Sequence, residues 1–128
     1  MEKTINKTIL IVEDEEATRK VMVSKFKHEG FEVLEASDGE AGLSVAQQEK
    51  PDLILLDIIM PKMDGMTFLK ELRKDSWGKS VPIIILTNLS DDKNIAEAME
   101  GGVFDFLVKS SWDMQDVVKR AKERLGIN

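Results

Sequence analysis

Short apolar runs alternate along this chain with longer segments of helical period. Runs of strand length fall at Thr8–Val12, Phe31–Glu35, Asp52–Ile58, Val81–Thr87 and Val103–Lys109. Three of them are apolar nearly throughout, as central strands covered on both faces must be. Phe31-Glu32-Val33-Leu34-Glu35 is mixed and suits an edge of the sheet. Strands that alternate with helices in this way build βαβ units, and βαβ units build a parallel sheet.

The helical segments have recognisable ends. The first runs from about Glu15 to Glu29 and stops at Gly30, a residue that tolerates the left-handed turn of a helix terminus. The second opens with Ser37-Asp38-Gly39-Glu40, which reads as a capping box, and ends before Pro51. The third follows Asp64-Gly65 and sets Met66, Leu69 and Leu72 on one face. The fourth follows Ser90-Asp91-Asp92, carries Ile95, Ala98 and Met99, and ends at Gly101-Gly102. The fifth places Met114, Val117, Val118, Ala121 and Leu125 in one stripe at helical spacing. With short connections and right-handed crossovers, five strands and five helices predict an α/β doubly wound sheet.

Composition narrows the function. At 128 residues and 42% hydrophobic, the chain fits one globular domain. The formal charge of −6 argues against direct binding of nucleic acid, which needs basic patches to displace counterions from phosphates. There is no cysteine, so disulfides, thiolate nucleophiles and zinc-thiolate sites are excluded. The polar start, Met1 to Lys7, and the lack of any apolar stretch near the ~18 residues of a membrane span predict a cytoplasmic protein with no membrane contact.

Candidate chemistry gathers at the strand ends. The first strand runs into Glu13-Asp14, the third into Asp57, the fourth into Thr87 and the fifth into Lys109. In a doubly wound sheet ligands bind outside the carboxyl ends of the strands, where all five residues fall. Carboxylates 4 Å apart repel by about 4 kcal/mol per pair at an effective dielectric of 20, so the cluster calls for a cation. Three carboxylates against one ammonium suit one Mg²⁺, a hard ion that prefers oxygen ligands. Such a site can receive a phosphoryl group. Asp57 would be the nucleophile, ionised at neutral pH and needing no general base. Asp14 would bind the metal directly and Glu13 through water, while Thr87 donates a hydrogen bond to the phosphoryl oxygen and Lys109 pairs with it as a point charge.

These residues, with Met60-Pro61-Lys62-Met63-Asp64-Gly65 after Asp57, resemble the receiver domain of two-component response regulators over Thr8 to Leu125. The resemblance implies a flavodoxin-like, CheY-like sheet of order 2-1-3-4-5 in a single receiver domain, 1–128, with a core of about 8–125; the sequence stops at Asn128 just after the fifth helix, so no output domain is expected within it, whether it is a stand-alone receiver or a piece of something longer. It implies a signalling module that catalyses only its own phosphorylation and dephosphorylation, with Asp57 taking a phosphoryl group from a sensor histidine kinase, a phosphotransfer protein or a small phosphodonor. Mg²⁺ would be held by Asp14, Asp57 and the main-chain carbonyl of Ile59. Thr87 and Phe106 would form a switch that remodels the face of helix four, strand five and helix five for a downstream protein or a homodimer.

The pattern is broken in places. Ser110 stands where the family has proline, and a cis bond without proline costs about 2.5–4 kcal/mol. Asn88, after Thr87, stands where the family usually has a small residue and would narrow access to Asp57; Ile59 and Leu89 cannot orient a hydrolytic water, which predicts slow autodephosphorylation. Three alternatives stay open. A phosphatase of the haloacid-dehalogenase type would need a second aspartate at Ile59; a flavodoxin-like cofactor carrier would need a phosphate loop where Glu13-Asp14 stands; a receiver-like interaction domain would work without phosphate. Bland readings apply elsewhere: His28 faces a helix dipole, and Lys119, Arg120, Lys122 and Arg124 form a solvated face or a match for Glu97 or Asp105 across a dimer.

Overall fold

The computed structural model describes residues 5–57, 65–87, 105–108 and 113–127. Five parallel strands form one sheet: β1 Thr8–Val12, β2 Glu32–Ala36, β3 Leu53–Asp57, β4 Ile83–Thr87 and β5 Asp105–Val108, in the order β2-β1-β3-β4-β5. The helices among the described residues are α1 Glu16–His28, α2 Gly39–Glu49, α3 Gly65–Leu72 and a C-terminal helix, Met114–Leu125. The helix expected after Ser90-Asp91-Asp92 lies outside the described residues. No helix among the described residues is long and apolar enough to cross a membrane.

The period-2 alternation of the strands divides the core in two. Leu10, Val12, Ile54, Leu56, Ile83 and Ile85 pack against Ala46 of α2 and Phe68, Leu69 and Leu72 of α3. Ile9, Ile11, Leu53, Leu55, Ile84 and Leu86 pack on the opposite side against Met22, Val23 and Phe26 of α1 and Val117, Val118 and Ala121 of the C-terminal helix. Every residue of β3 is buried, which explains its unbroken apolar run. Helix α2 comes so close to β1 that a Cβ on Gly42 would stand 2.9 Å from both methyl groups of Val12, so only glycine fits there.

Helix ends and one proline shift the starts of β2 and β4 from their expected positions. Gly30 takes the left-handed conformation at φ 103°, ending α1 as its sequence predicts. The Phe31 N–H donates to the Phe26 carbonyl, and the two rings meet edge to face with centroids 5.6 Å apart. This is a Schellman closure with its hydrophobic contact. Because Phe31 belongs to it, β2 begins at Glu32 and ends at Ala36, one residue later than expected. Strand β4 begins at Ile83 instead of Val81, since Pro82 has no N–H for a sheet ladder and contributes only its carbonyl, to Ile54 N–H. The expected capping box of α2 is replaced by a simpler cap. Asp38 is the N-cap and its carboxylate accepts from Ala41 N–H, so Ser37 is not the cap and Glu40 is not three residues beyond it. A reciprocal box occurs instead at the C-terminal helix, between Asp113 and Asp116.

Candidate functional site

Strand register brings Glu13 and Asp57 together. Leu55 pairs with Ile11 and Leu56 with Val12, so one step further sets Asp57 level with Glu13. Their positions continue the Ile9, Ile11 and Leu53, Leu55 alternation, which places both carboxylates on the α1 side of the sheet. Glu13 is fully buried and Asp57 is 6% exposed, whereas Asp14 faces solvent. One oxygen from each of the three carboxylates lies within 4.8 Å of the others.

The electrostatics of the cluster are those of acids crowded out of water. The Glu13 carboxyl is pushed up from 4.5 to about 7. Burial is the main cause; the Glu15 N–H, 3.1 Å from Glu13 Oε2, opposes it, and the charge of Asp57 adds to it. Hydrogen bonds to Asp57 and Asp14 act in the same direction as burial. Three hard oxygen donors this close, one of them resisting ionisation, are the donor set a small divalent cation relieves.

The supporting contacts include one that the sequence did not suggest. Arg19, one turn into α1, donates from Nη1 to the Glu13 main-chain carbonyl at 2.9 Å and from Nε to Glu35 Oε1 at 3.0 Å. The only sequence signal for it is a basic residue one turn after an acidic pair, with Glu35 near the end of the neighbouring strand. On the far strands, Thr87 closes β4 opposite Val108, and the backbone of Phe106 lies opposite Ile85. Ile59, Asn88, Leu89, Lys109 and Ser110 lie outside the described residues, so the structure brings together Glu13, Asp14 and Asp57 of the expected set.

Lys122 departs from its expected place on a solvated or dimer-matching face. Its ammonium pairs within the chain, at 3.0 Å from Glu29 Oε1 at the end of α1.

Comparison with known proteins adds the family. The response regulator receiver domain model matches residues 9–122. A relative from Guillardia theta, named "Probable transcriptional regulator ycf27", is 45% identical over 101 residues, covering 79% of this chain and 39% of the relative. This chain thus spans about two-fifths of the length of such curated relatives. Among solved structures, a CheY-like receiver domain protein from Methanospirillum hungatei superimposes with a TM-score of 0.87 at 28% identity, covering 95% of each chain. The receiver domain of sensor histidine kinase PA1611 from Pseudomonas aeruginosa gives a TM-score of 0.85 at 26% identity over 95% of this chain and 99% of that one; its structure holds a magnesium ion in the active-site cleft. The sheet order, the acidic cluster at the strand ends and the match across nearly the whole sequence agree, and the chain belongs to the response regulator receiver domain family.

Proposed function

We propose that this chain is the phosphoacceptor module of a two-component system and that Asp57 takes the phosphoryl group. The observation that carries this reading is the placement of Asp57: a buried strand ends in a carboxylate only 6% exposed, with an oxygen within 4.8 Å of carboxylate oxygens of Glu13 and Asp14. In the reaction an Asp57 carboxylate oxygen bonds to phosphorus, the P–N bond of a phosphohistidine breaks, and its electron pair returns to the imidazole nitrogen. Asp14, Asp57 and the Ile59 carbonyl would hold Mg²⁺, and Glu13 would contribute through water. Bound Mg²⁺ supplies positive charge to the phosphoryl oxygens.

The remaining roles follow the strand ends. The Thr87 hydroxyl donates to a phosphoryl oxygen and the Lys109 ammonium pairs with another. Thr87 and Phe106 then shift the balance between two arrangements of the face formed by β5, the C-terminal helix and the segment before β5, which a downstream protein or a second copy recognises. With Ile59 and Leu89 unable to orient water, the acyl phosphate persists. The module spans residues 1–128, works in the cytoplasm where a histidine kinase or phosphotransfer protein presents its phosphohistidine, and catalyses only its own phosphorylation and dephosphorylation.

The test is incubation with acetyl phosphate, with and without Mg²⁺, followed by intact mass beside Asp57→Asn. The expected result is a Mg²⁺-dependent gain of one phosphoryl group that the variant lacks. No gain in the wild-type chain, even at high donor concentration, would replace this reading with a phosphate-independent interaction domain.

A further inference from the structure

Arg19 is a long cationic side chain on a surface helix, yet only 15% of it is exposed, and its donors are committed to two different strands. Nη1 holds the Glu13 carbonyl just past the end of β1, and Nε holds Glu35 in β2. Ordering so long a side chain costs rotamer freedom, which charge-assisted hydrogen bonds can offset. The arrangement therefore has a definite geometry to maintain.

The geometry it maintains is that of the next residue. A peptide unit is planar, so fixing the Glu13 carbonyl also fixes the N–H and Cα of Asp14. Glu13 does not depend on this: its carboxylate is buried and accepts from Glu15 N–H, and its own N–H donates to Ala36 O at 3.1 Å. Asp14 is exposed and leaves the sheet, so apart from its hydrogen bond with the Glu13 carboxyl its carboxylate is placed through its backbone. We propose that Arg19, oriented by Glu35, is a positioning residue that presets Asp14 for cation binding by clamping the Glu13–Asp14 peptide. This rests on the reading of the acidic cluster as the Mg²⁺ site.

Arginine suits this clamp better than lysine. Its rigid fork serves two acceptors in different directions at once, whereas a lysine reaches the carbonyl with a flexible point charge. Glu35 keeps the fork turned toward β1 and also balances its charge, so the guanidinium does not compete with a cation for the cluster. Groups that orient metal ligands typically change affinity 10- to 100-fold when lost.

The experiment is calorimetric titration of the unphosphorylated chain with Mg²⁺ for wild type, Arg19→Gln, Arg19→Lys and Glu35→Gln, beside urea unfolding of each in EDTA. Expected are a loss of about tenfold in Mg²⁺ affinity for Arg19→Gln, partial rescue by Arg19→Lys, and a loss of no more than about threefold for Glu35→Gln, whose amide oxygen still accepts from Nε. An Arg19→Gln chain that unfolds more easily but binds Mg²⁺ like wild type would overturn the proposal and leave Arg19 a staple between strands. Should Arg19→Gln fail to fold, Arg19→Lys decides: reduced affinity supports the clamp, unchanged affinity overturns it. A wild-type chain that binds no Mg²⁺ would overturn the metal reading itself, and this inference with it.

Discussion

Glu13 and Glu29 are glutamates at opposite ends of the same layer, and the fold treats them in opposite ways. Glu13, past the end of β1, is buried beside Asp57 and its carboxyl is pushed up to about 7. Glu29, at the end of α1, accepts from Lys122 and sits 3.5 Å from Lys25, and the Lys122 hydrogen bond holds its carboxyl below the usual range. One end of the molecule gathers like charges out of water; the other pairs unlike charges at the surface. Only the first arrangement makes sense as preparation for something that binds, because without a cation it opposes folding.

The two ends differ most in the pH dependence of stability that they produce in EDTA. Between about pH 4.5 and 7 Glu13 carries more protons in the folded chain than in the unfolded one, so stability declines as pH rises and the penalty is complete above about 7. Glu13→Gln is expected to flatten this slope and to gain about 1–2 kcal/mol at pH 8, a figure discounted for solvent at the mouth of the site. Urea unfolding at a series of pH values measures it; parallel curves for the two chains would mean Glu13 ionises without penalty.

Asp57→Asn approaches the same cluster from the other side. Removing that charge is expected to raise stability in EDTA by about 1 kcal/mol at pH 8 and to abolish stabilisation by added Mg²⁺. Thermal melting with and without the ion separates the two effects. At the opposite end the expected change is smaller and reversed in sign. Lys122→Met should cost about 0.5 kcal/mol at neutral pH, as partly exposed ion pairs do. The contribution of Glu29 is fully present above about pH 4.5 and is lost as pH falls through its lowered folded value. The variant should therefore be less sensitive to acid than wild type; equal sensitivity would assign the loss to the packing of the lysine stem.

Local patterns in the sequence account for most of the scaffold. Thr8–Val12 is a strand at its expected bounds, Gly30 ends α1, and the stripe from Met114 to Leu125 faces the core. The differences arise where one residue serves two elements: Phe31 closes α1 before β2 can start, and Asp38 takes the cap expected of Ser37. At the site, Glu13, Asp14 and Asp57 were legible because strand ends in a parallel sheet share one edge. Their unequal burial was not, since Glu13 and Asp14 are adjacent acids just past one strand end and nothing in their order says which is buried. The pairs of Arg19 with Glu35 and of Lys122 with Glu29 were also hidden. Contacts between residues distant along the chain leave no periodic trace, and only the register of the strands and the angle of the helices bring the partners within reach.

The alternation along β1 and β3 has a consequence for how such a chain can change over time. Val12 and Leu56 look toward α2 and α3; Glu13 and Asp57, one position later, stand over Ile11 and Leu55 on the other side. The sheet thus separates a half of the core that only supports it from a half that also floors the acidic cluster. Drift at Phe68, Leu69 or Leu72 is insulated from the carboxylates by the thickness of the sheet. Drift at Met22 or Val117 shares their layer. Homologous chains are therefore expected to repack more freely beneath α2 and α3, outside the close approach of Gly42 to Val12, and to keep a narrower vocabulary of side chains beneath α1 and the C-terminal helix.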